Sequence, residues 1–169
     1  MLVYMKQLFI AFMILSTIHS ILSADPLELG SPSPQITALN DQGETIDLGA
    51  ALAEGTSLVF FYQKAMTPGC TKQACSLRDA WDELNARNVQ IYGVSADKAK
   101  TQATFKDKYN LPYTLIADKD GAVSSAFNKG RYSRHAYLFK DGQLVWRDLN
   151  ASTGSQADDV LAALDKLEK

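Results

Sequence analysis

Cysteine and histidine are scarce in this 169-residue sequence, which contains two of each. Two cysteines cannot staple a disulfide-rich scaffold, so a buried apolar core must hold the fold. So few thiols and imidazoles also leave little material for a structural zinc site. An excess of charge of either sign is lacking as well, because 17 Lys and Arg residues face 19 Asp and Glu residues. Without a basic surplus to neutralise phosphates, nucleic-acid binding is not expected.

The composition is otherwise that of an ordinary globular protein. Hydrophobic residues make up 46 % of the sequence and charged residues 21 %. These fractions exclude a disordered, collagen-like or low-complexity chain. The length suits one folded domain rather than two.

The first 24 residues have the pattern of a targeting segment. Lys6 is the only charged residue there, and an apolar stretch follows it and ends in the small residues Ser23 and Ala24. This order is typical of a cleaved secretory signal peptide. The alternative is an uncleaved anchor, although serines and a threonine interrupt a stretch that is marginal for the about 20 residues of a spanning helix. We therefore expect residues 25–169 to form an exported domain, periplasmic or secreted, that meets a membrane only if residues 1–24 stay attached.

Apolar runs and helical spacings alternate along the rest of the chain. The sequence predicts strands at 36–39, 57–62, 89–94, 114–117, 136–139 and 143–146, and helices at 70–87, 97–109, 122–127 and 156–167. An Asp-Gly pair between the last two strands predicts a tight hairpin. Alternation followed by a hairpin indicates an α/β fold with a mixed central β-sheet and helices on both faces.

The two cysteines stand where a buried strand passes into a helix. Pro68 and Gly69 make the turn and place Cys70 in the first helical turn, where unpaired N–H groups and the helix dipole favour a thiolate. Cys70 therefore has the position of a nucleophile. In a regular helix the Cα atoms of residues five apart, as Cys70 and Cys75 are, lie about 8.6 Å from each other. A disulfide needs less than about 7 Å, so the pair cannot close while the helix is intact.

Three interpretations of the cysteine pair remain open at this point. The pair is redox-active and forms a strained, labile disulfide, or it is a structural disulfide of an exported protein, or the two thiols are unrelated. The helical geometry favours the first, because a bond that requires its own helix to unwind makes a poor structural link.

The segment from Phe61 to Cys75, FYQKAMTPGCTKQAC, resembles the active-site segment of the peroxiredoxins. Within that family it is most similar to the Q type, also called bacterioferritin comigratory proteins. Further similarity lies at 94–97, 108–112, 118–121 and 133–138. The resemblance implies a thioredoxin-like fold and a thiol-dependent peroxidase that reduces hydrogen peroxide and organic hydroperoxides.

The resemblance also implies roles for individual residues. Cys70 would be the peroxidatic cysteine and Cys75 the resolving cysteine, joined in an intramolecular disulfide. Thr67 would be the active-site hydroxyl and Arg134 the active-site arginine. The family usually has proline where this chain has Gln63, and the replacement removes a fixed φ and adds an N–H donor at the start of the loop.

The expected reaction requires a peroxide substrate and an external dithiol reductant such as a thioredoxin. It requires no metal, haem or flavin, and we expect the protein to be a monomer.

Two other classes of protein compete with this interpretation. An exported thioredoxin-like disulfide exchanger or copper chaperone would share the fold, but the sequence contains no C-x-x-C motif. A copper chaperone would also need His135, the only histidine that remains when residues 1–24 are removed. The other class is a binding module with an inert disulfide. Consumption of peroxide by the reduced protein separates the first interpretation from these two.

Overall fold

A computed structural model describes residues 25–130 and 133–168. The predicted targeting segment at residues 1–24 lies outside the described residues. Within the two described ranges, no helix combines the length and the apolar character that crossing a bilayer requires.

The described residues form one sheet with helices packed against it. The strands are β1 (Thr37–Asn40), β2 (Thr45–Asp47), β3 (Thr56–Phe61), β4 (Val89–Ser95), β5 (Thr114–Ala117), β6 (Ala136–Lys140) and β7 (Gln143–Asp148). The helices are α1 (Leu48–Leu52), α2 (Pro68–Asp79), α3 (Trp81–Ala86), α4 (Ala99–Tyr109), α5 (Ala122–Ala126) and α6 (Gln156–Leu167). The strand order is β2-β1-β5-β4-β3-β6-β7.

The sheet is mixed, as the sequence predicts. The central strands β3, β4 and β5 run parallel, whereas β6 pairs antiparallel with β3, and β7 pairs antiparallel with β6. At one edge of the sheet, β1 pairs antiparallel with both β5 and β2. The carboxyl ends of the parallel strands and the amino end of β6 therefore lie at the same side of the sheet.

Each face of the sheet carries its own core. Side chains alternate along β3, so Leu58 and Phe60 enter one core and Val59 and Phe61 enter the other. The first core also contains buried residues of α2, α3, α4 and α6, and the second contains those of α1 and α5. The prediction of helices on both faces is confirmed.

The prediction of one continuous helix at 70–87 is wrong. Two helices cover this stretch, and they meet at Ala80, whose φ of −96° and ψ of 9° leave the helical range. The apolar spacing continues across the bend, with Leu77 and Leu84 both fully buried in the same core. The bend leaves Trp81 beside Tyr113, with ring centroids 6.4 Å apart. The periodic apolar pattern thus continues across the break between α2 and α3, so the pattern alone does not show where the first helix ends.

Helix α2 is held to its surroundings by buried polar contacts as well as by apolar packing. The hydroxyl of Tyr113 donates to the Ala74 carbonyl at 2.7 Å, and the Ala157 N–H donates to Ser76 Oγ at 3.1 Å. Between α2 and α6, Gln73 Nε2 donates to Gln156 Oε1 at 2.5 Å. The other amide atoms of this pair, Gln73 Oε1 and Gln156 Nε2, are buried with no hydrogen-bond partner among the described residues.

Candidate active site

Cys70 lies at the start of α2, directly beyond the carboxyl end of β3. Pro68 is the first helical residue, so the missing proline N–H removes no helical hydrogen bond. Thr67 is the N-cap residue, and its carbonyl accepts the Thr71 N–H at 2.8 Å. Cys70 therefore stands in the first turn, as predicted, and its side chain is fully buried. Both cysteines are free thiols in this structure.

The sheet brings Arg134 to this thiol from 64 positions further along the chain. Because β6 is antiparallel to β3, the residues that precede β6 lie beside the end of β3, and the Phe61 N–H donates to the His135 carbonyl at 2.8 Å. The Arg134 Nη2 atom then lies 3.8 Å from Cys70 Sγ. Among the described residues, no carboxylate lies within ion-pair distance of Arg134. Its charge is therefore available to a thiolate or another anion.

The surroundings of Cys70 stabilise its ionised form. Burial acts against the thiolate, but hydrogen bonds from the Thr67 hydroxyl, the Lys64 and Gln63 backbones and Arg134 outweigh it. The pKa of the Cys70 thiol consequently lies below its ordinary value. This agrees with the lowered pKa that the sequence predicts from the helix start, but most of the donors come from the preceding loop.

The Thr67 hydroxyl lies between two acceptors. Its oxygen is 2.9 Å from the Lys64 carbonyl oxygen and within hydrogen-bonding reach of the Cys70 sulfur, and its one proton can be donated to either of them but not to both at once. A hydroxyl has one proton and two lone pairs. When the proton points to the Lys64 carbonyl, the lone pairs of Thr67 can accept a hydrogen bond from a molecule bound beside Cys70.

Gln63 contributes two contacts that a proline could not make. Its side-chain oxygen Oε1 lies 3.5 Å from Arg134 Nη2, and its backbone hydrogen bond is one of those that stabilise the Cys70 thiolate. The replacement of proline by Gln63 indicates an added N–H donor, but the sequence does not show that this donor and the Lys64 backbone serve the Cys70 sulfur.

Cys75 lies on the same helix in a different environment. Its side chain is half-buried, and burial is the main reason that the pKa of the Cys75 thiol is raised. Nearby Arg78 lowers that pKa and Asp79 raises it, and neither reverses the effect of burial. The pKa values of the two thiols of α2 are thus shifted in opposite directions, and only the ionised form of Cys70 is stabilised by its surroundings.

These residues fall within a region that matches known proteins. Residues 29–147 match the model of the AhpC/TSA family. The chain is 33 % identical over 156 residues to peroxiredoxin Bcp of Bacillus subtilis, covering 84 % of this chain and 96 % of that protein. It is 31 % identical over 149 residues to peroxiredoxin bcp1 of Schizosaccharomyces pombe, covering 84 % and 76 % of the two chains.

A similar structure has been solved for the bacterioferritin comigratory protein of Xanthomonas campestris. The TM-score is 0.75 at 27 % sequence identity, and the match covers 86 % of this chain and all of that one. This similarity confirms the predicted thioredoxin-like fold.

The contact between Arg134 and Cys70 predicts the effect of removing the guanidinium. In Arg134→Ala, the pKa of the Cys70 thiol should rise, and its reaction with peroxide should slow by about 100-fold, since a positioned donor and a positive charge are both lost. Arg134→Lys should recover only part of the rate, because an ammonium group lacks the planar fork of donors. The pH dependence of thiol alkylation in a Cys75→Ser background reports the pKa of Cys70 alone. An unchanged alkylation profile in Arg134→Ala would remove the arginine from the site.

Proposed function

The chain belongs to the AhpC/TSA family and is a peroxiredoxin, a thiol-dependent peroxidase, and we propose that Cys70 is its peroxidatic nucleophile. The observation that carries this assignment is the environment of the Cys70 sulfur, which is buried, stands 3.8 Å from Arg134 Nη2 and has a lowered thiol pKa. The same helix holds Cys75 with a raised thiol pKa, so only one of the two cysteines is prepared for attack. The competing interpretation as a disulfide exchanger or copper chaperone receives no support from the relatives.

In the first step, the Cys70 thiolate attacks the nearer oxygen of the peroxide. A sulfur–oxygen bond forms, the oxygen–oxygen bond breaks, and the departing hydroxide or alkoxide takes a proton from water. Arg134 stabilises the negative charge that moves onto the departing oxygen, and the lone pairs of Thr67 hold the peroxide hydroxyl in line. The products are Cys70 sulfenic acid and water or an alcohol.

In the second step, the Cys75 sulfur attacks the sulfenic sulfur of Cys70. A disulfide forms and water is released. The regular helix places the two Cα atoms about 8.6 Å apart, beyond the reach of a disulfide. The first turns of α2 must therefore unwind. Unwinding also takes Cys75 out of its half-buried position, which removes the main cause of its raised pKa and makes it a better nucleophile.

An external dithiol then reduces the disulfide and returns both thiols. A thioredoxin-like protein supplies such a dithiol, and a bond that forms only at the expense of a helix is easy to reduce. The bacterioferritin comigratory protein of Xanthomonas campestris has alkyl peroxide reduction activity. We extend this substrate class to the present chain, together with hydrogen peroxide, and propose that the chain acts as a monomer.

We further propose that residues 1–24 direct export of the domain. The support is the pattern of one lysine, an apolar stretch and small residues before Asp25. If the proposal is right, sequencing the amino terminus of protein recovered from outside the cytoplasm should show a start near Asp25. Recovery of the full-length chain from the cytoplasm alone would contradict export.

Replacement of each cysteine tests the assigned roles. Cys70→Ser should abolish peroxide consumption and leave the fold intact, because serine retains the size of the side chain and lacks the nucleophile. Cys75→Ser should still consume one equivalent of peroxide and accumulate a sulfenic acid, which mass spectrometry detects as one added oxygen. If Cys70→Ser stayed active and Cys75→Ser did not react, the two roles would have to be exchanged.

Disulfide formation should be coupled to local unfolding. In the reduced protein, amide hydrogens across residues 71–79 should be protected from exchange by the intact helix α2, whose first hydrogen bond joins the Thr71 N–H to the Thr67 carbonyl. In the disulfide form, protection should fall over residues 71–75, because the helical hydrogen bonds there must open. Cys75→Ser after one equivalent of peroxide is the matched control and should keep its protection. Equal protection in the reduced and disulfide forms would instead indicate a static bridge.

A further inference from the structure

The loop between β3 and α2 is held by a side chain from the next strand of the sheet. Asp97 lies just beyond the end of β4 and is half-buried. Its Oδ2 atom accepts the Ala65 N–H at 2.7 Å and the Ser95 hydroxyl at 2.8 Å. Ala65 itself is buried, although it belongs to a loop. Asp97 thus fixes the middle of the loop that precedes Cys70.

This loop needs such a contact because its backbone is not relaxed. Met66 has a φ of 66°, in the left-handed region that residues other than glycine rarely adopt. The groups that stabilise the Cys70 thiolate lie on both sides of Ala65, with Gln63 and Lys64 before it and Thr67 after it. Holding the Ala65 amide therefore holds both sets of donors at once.

Asp97 is itself oriented by a rigid part of the fold. The Ser95 hydroxyl that donates to Asp97 accepts a hydrogen bond from Gln102 Nε2 at 3.0 Å. Gln102 is fully buried, and its Nε2 also donates to the Ile116 carbonyl at 2.8 Å. The Tyr62 hydroxyl donates to Gln102 Oε1, which connects the network to the residue directly before the loop. The chain of contacts therefore runs from helix α4 and strand β5 to the loop.

We propose that Asp97 is a positioning residue of the peroxidase reaction, which acts by fixing the Ala65 amide and through it the donors around Cys70. This inference rests on the proposed role of Cys70. Asp97 acts on the loop amide rather than on the sulfur, so it is not a catalytic residue. It is required for rate because the loop would otherwise relax at Met66 and carry its donors away from the thiolate.

Two ways in which Asp97 could influence the site make opposite predictions. A carboxylate that acted only as a nearby negative charge would disfavour the thiolate, so its removal would lower the pKa of Cys70. A carboxylate that acts by holding the loop keeps the donors in place, so its removal would raise that pKa. The direction of the change therefore identifies the mechanism.

Asparagine at position 97 can keep the hydrogen bonds that Asp97 accepts without its negative charge. Both hydrogen bonds fall on a single carboxylate oxygen, and the amide oxygen of asparagine has two lone pairs to accept them. In Asp97→Asn, the pKa of the Cys70 thiol should therefore stay the same and most of the reaction rate should remain. In Asp97→Ala, that pKa should rise and the rate should fall. An effect of charge alone would make the two variants behave alike.

The experiment compares Asp97→Ala and Asp97→Asn in a Cys75→Ser background, where only the Cys70 thiol is titrated. The pH profile of alkylation by iodoacetamide measures the pKa, and a single turnover with hydrogen peroxide measures the rate. We expect Asp97→Ala to shift the alkylation profile to higher pH and to react at least about 10-fold more slowly. Asp97→Asn should stay close to the background protein. A profile that is unchanged or shifted to lower pH in Asp97→Ala would overturn the proposal.

A matched control and a second variant separate the proposed role of Asp97 from a general loss of stability. Asp47 also accepts a backbone N–H, from Ala50 at 2.9 Å, but it ends the edge strand β2 and caps α1. Asp47→Ala should lower stability without moving the alkylation profile. If Asp97→Ala does not fold, Ser95→Ala provides the test of the proposal. This variant keeps the Asp97 carboxylate and removes the hydroxyl that orients the carboxylate. That variant should shift the profile to higher pH, and no shift would refute the proposal.

The measurement of the Cys70 pKa by alkylation does not depend on peroxide. If the background protein failed to react with hydrogen peroxide, the proposed role of Cys70 would fall, while the pKa comparison would still show whether Asp97 controls the thiol. If the background protein reacted normally and Asp97→Ala matched it in both measurements, the role of Asp97 alone would fall. The two failures are therefore distinguishable.

Discussion

A fully buried sulfur can carry a negative charge only where hydrogen-bond donors replace the water that it has lost. At Cys70 these donors come from three separate parts of the chain: the loop after β3, the N-cap threonine and the arginine before β6. Each depends on a different feature of the fold, namely the parallel pairing that buries β3, the turn at Met66 and the antiparallel pairing of β6. The mixed sheet is therefore the frame that allows a reactive thiolate to exist in a buried position.

Much of the fold can be predicted because its elements carry strong local patterns. The strand at 114–117 and the helix at 156–167 have the bounds that the sequence predicts, and the Asp141-Gly142 turn has positive φ at both residues, as a tight hairpin requires. The sequence does not predict β2 and α1, which are three and five residues long. Elements this short contain little more than one helical or strand period, which is a weak pattern, and they exist because Asp47 caps the helix and the strand pairs with β1.

The site is predictable in part, for reasons that differ from residue to residue. Cys70 can be recognised from local chemistry alone, because a turn and a helix start surround it in the sequence. Arg134 and Thr67 follow from the resemblance to peroxiredoxins, since nothing in their own neighbourhoods marks them. Asp97 falls in the segment 94–97 that resembles the family, but neither the resemblance nor the local pattern gives it a role: its partner Ala65 lies 32 residues earlier, and the contact requires β3 and β4 to be adjacent. Through-space contacts to backbone amides leave no pattern along the chain.

The pair Gln73 and Gln156, buried between α2 and α6, bears on how readily the thiol helix can open. Gln73 lies in the turns of α2 that must open before Cys70 and Cys75 can join, and its Nε2 donates to Gln156 Oε1 on α6. Opening therefore breaks a hydrogen bond between two buried amides and uncovers Gln156 at the start of α6. The redox state of the two thiols thus changes the surroundings of a residue 83 positions further along the chain.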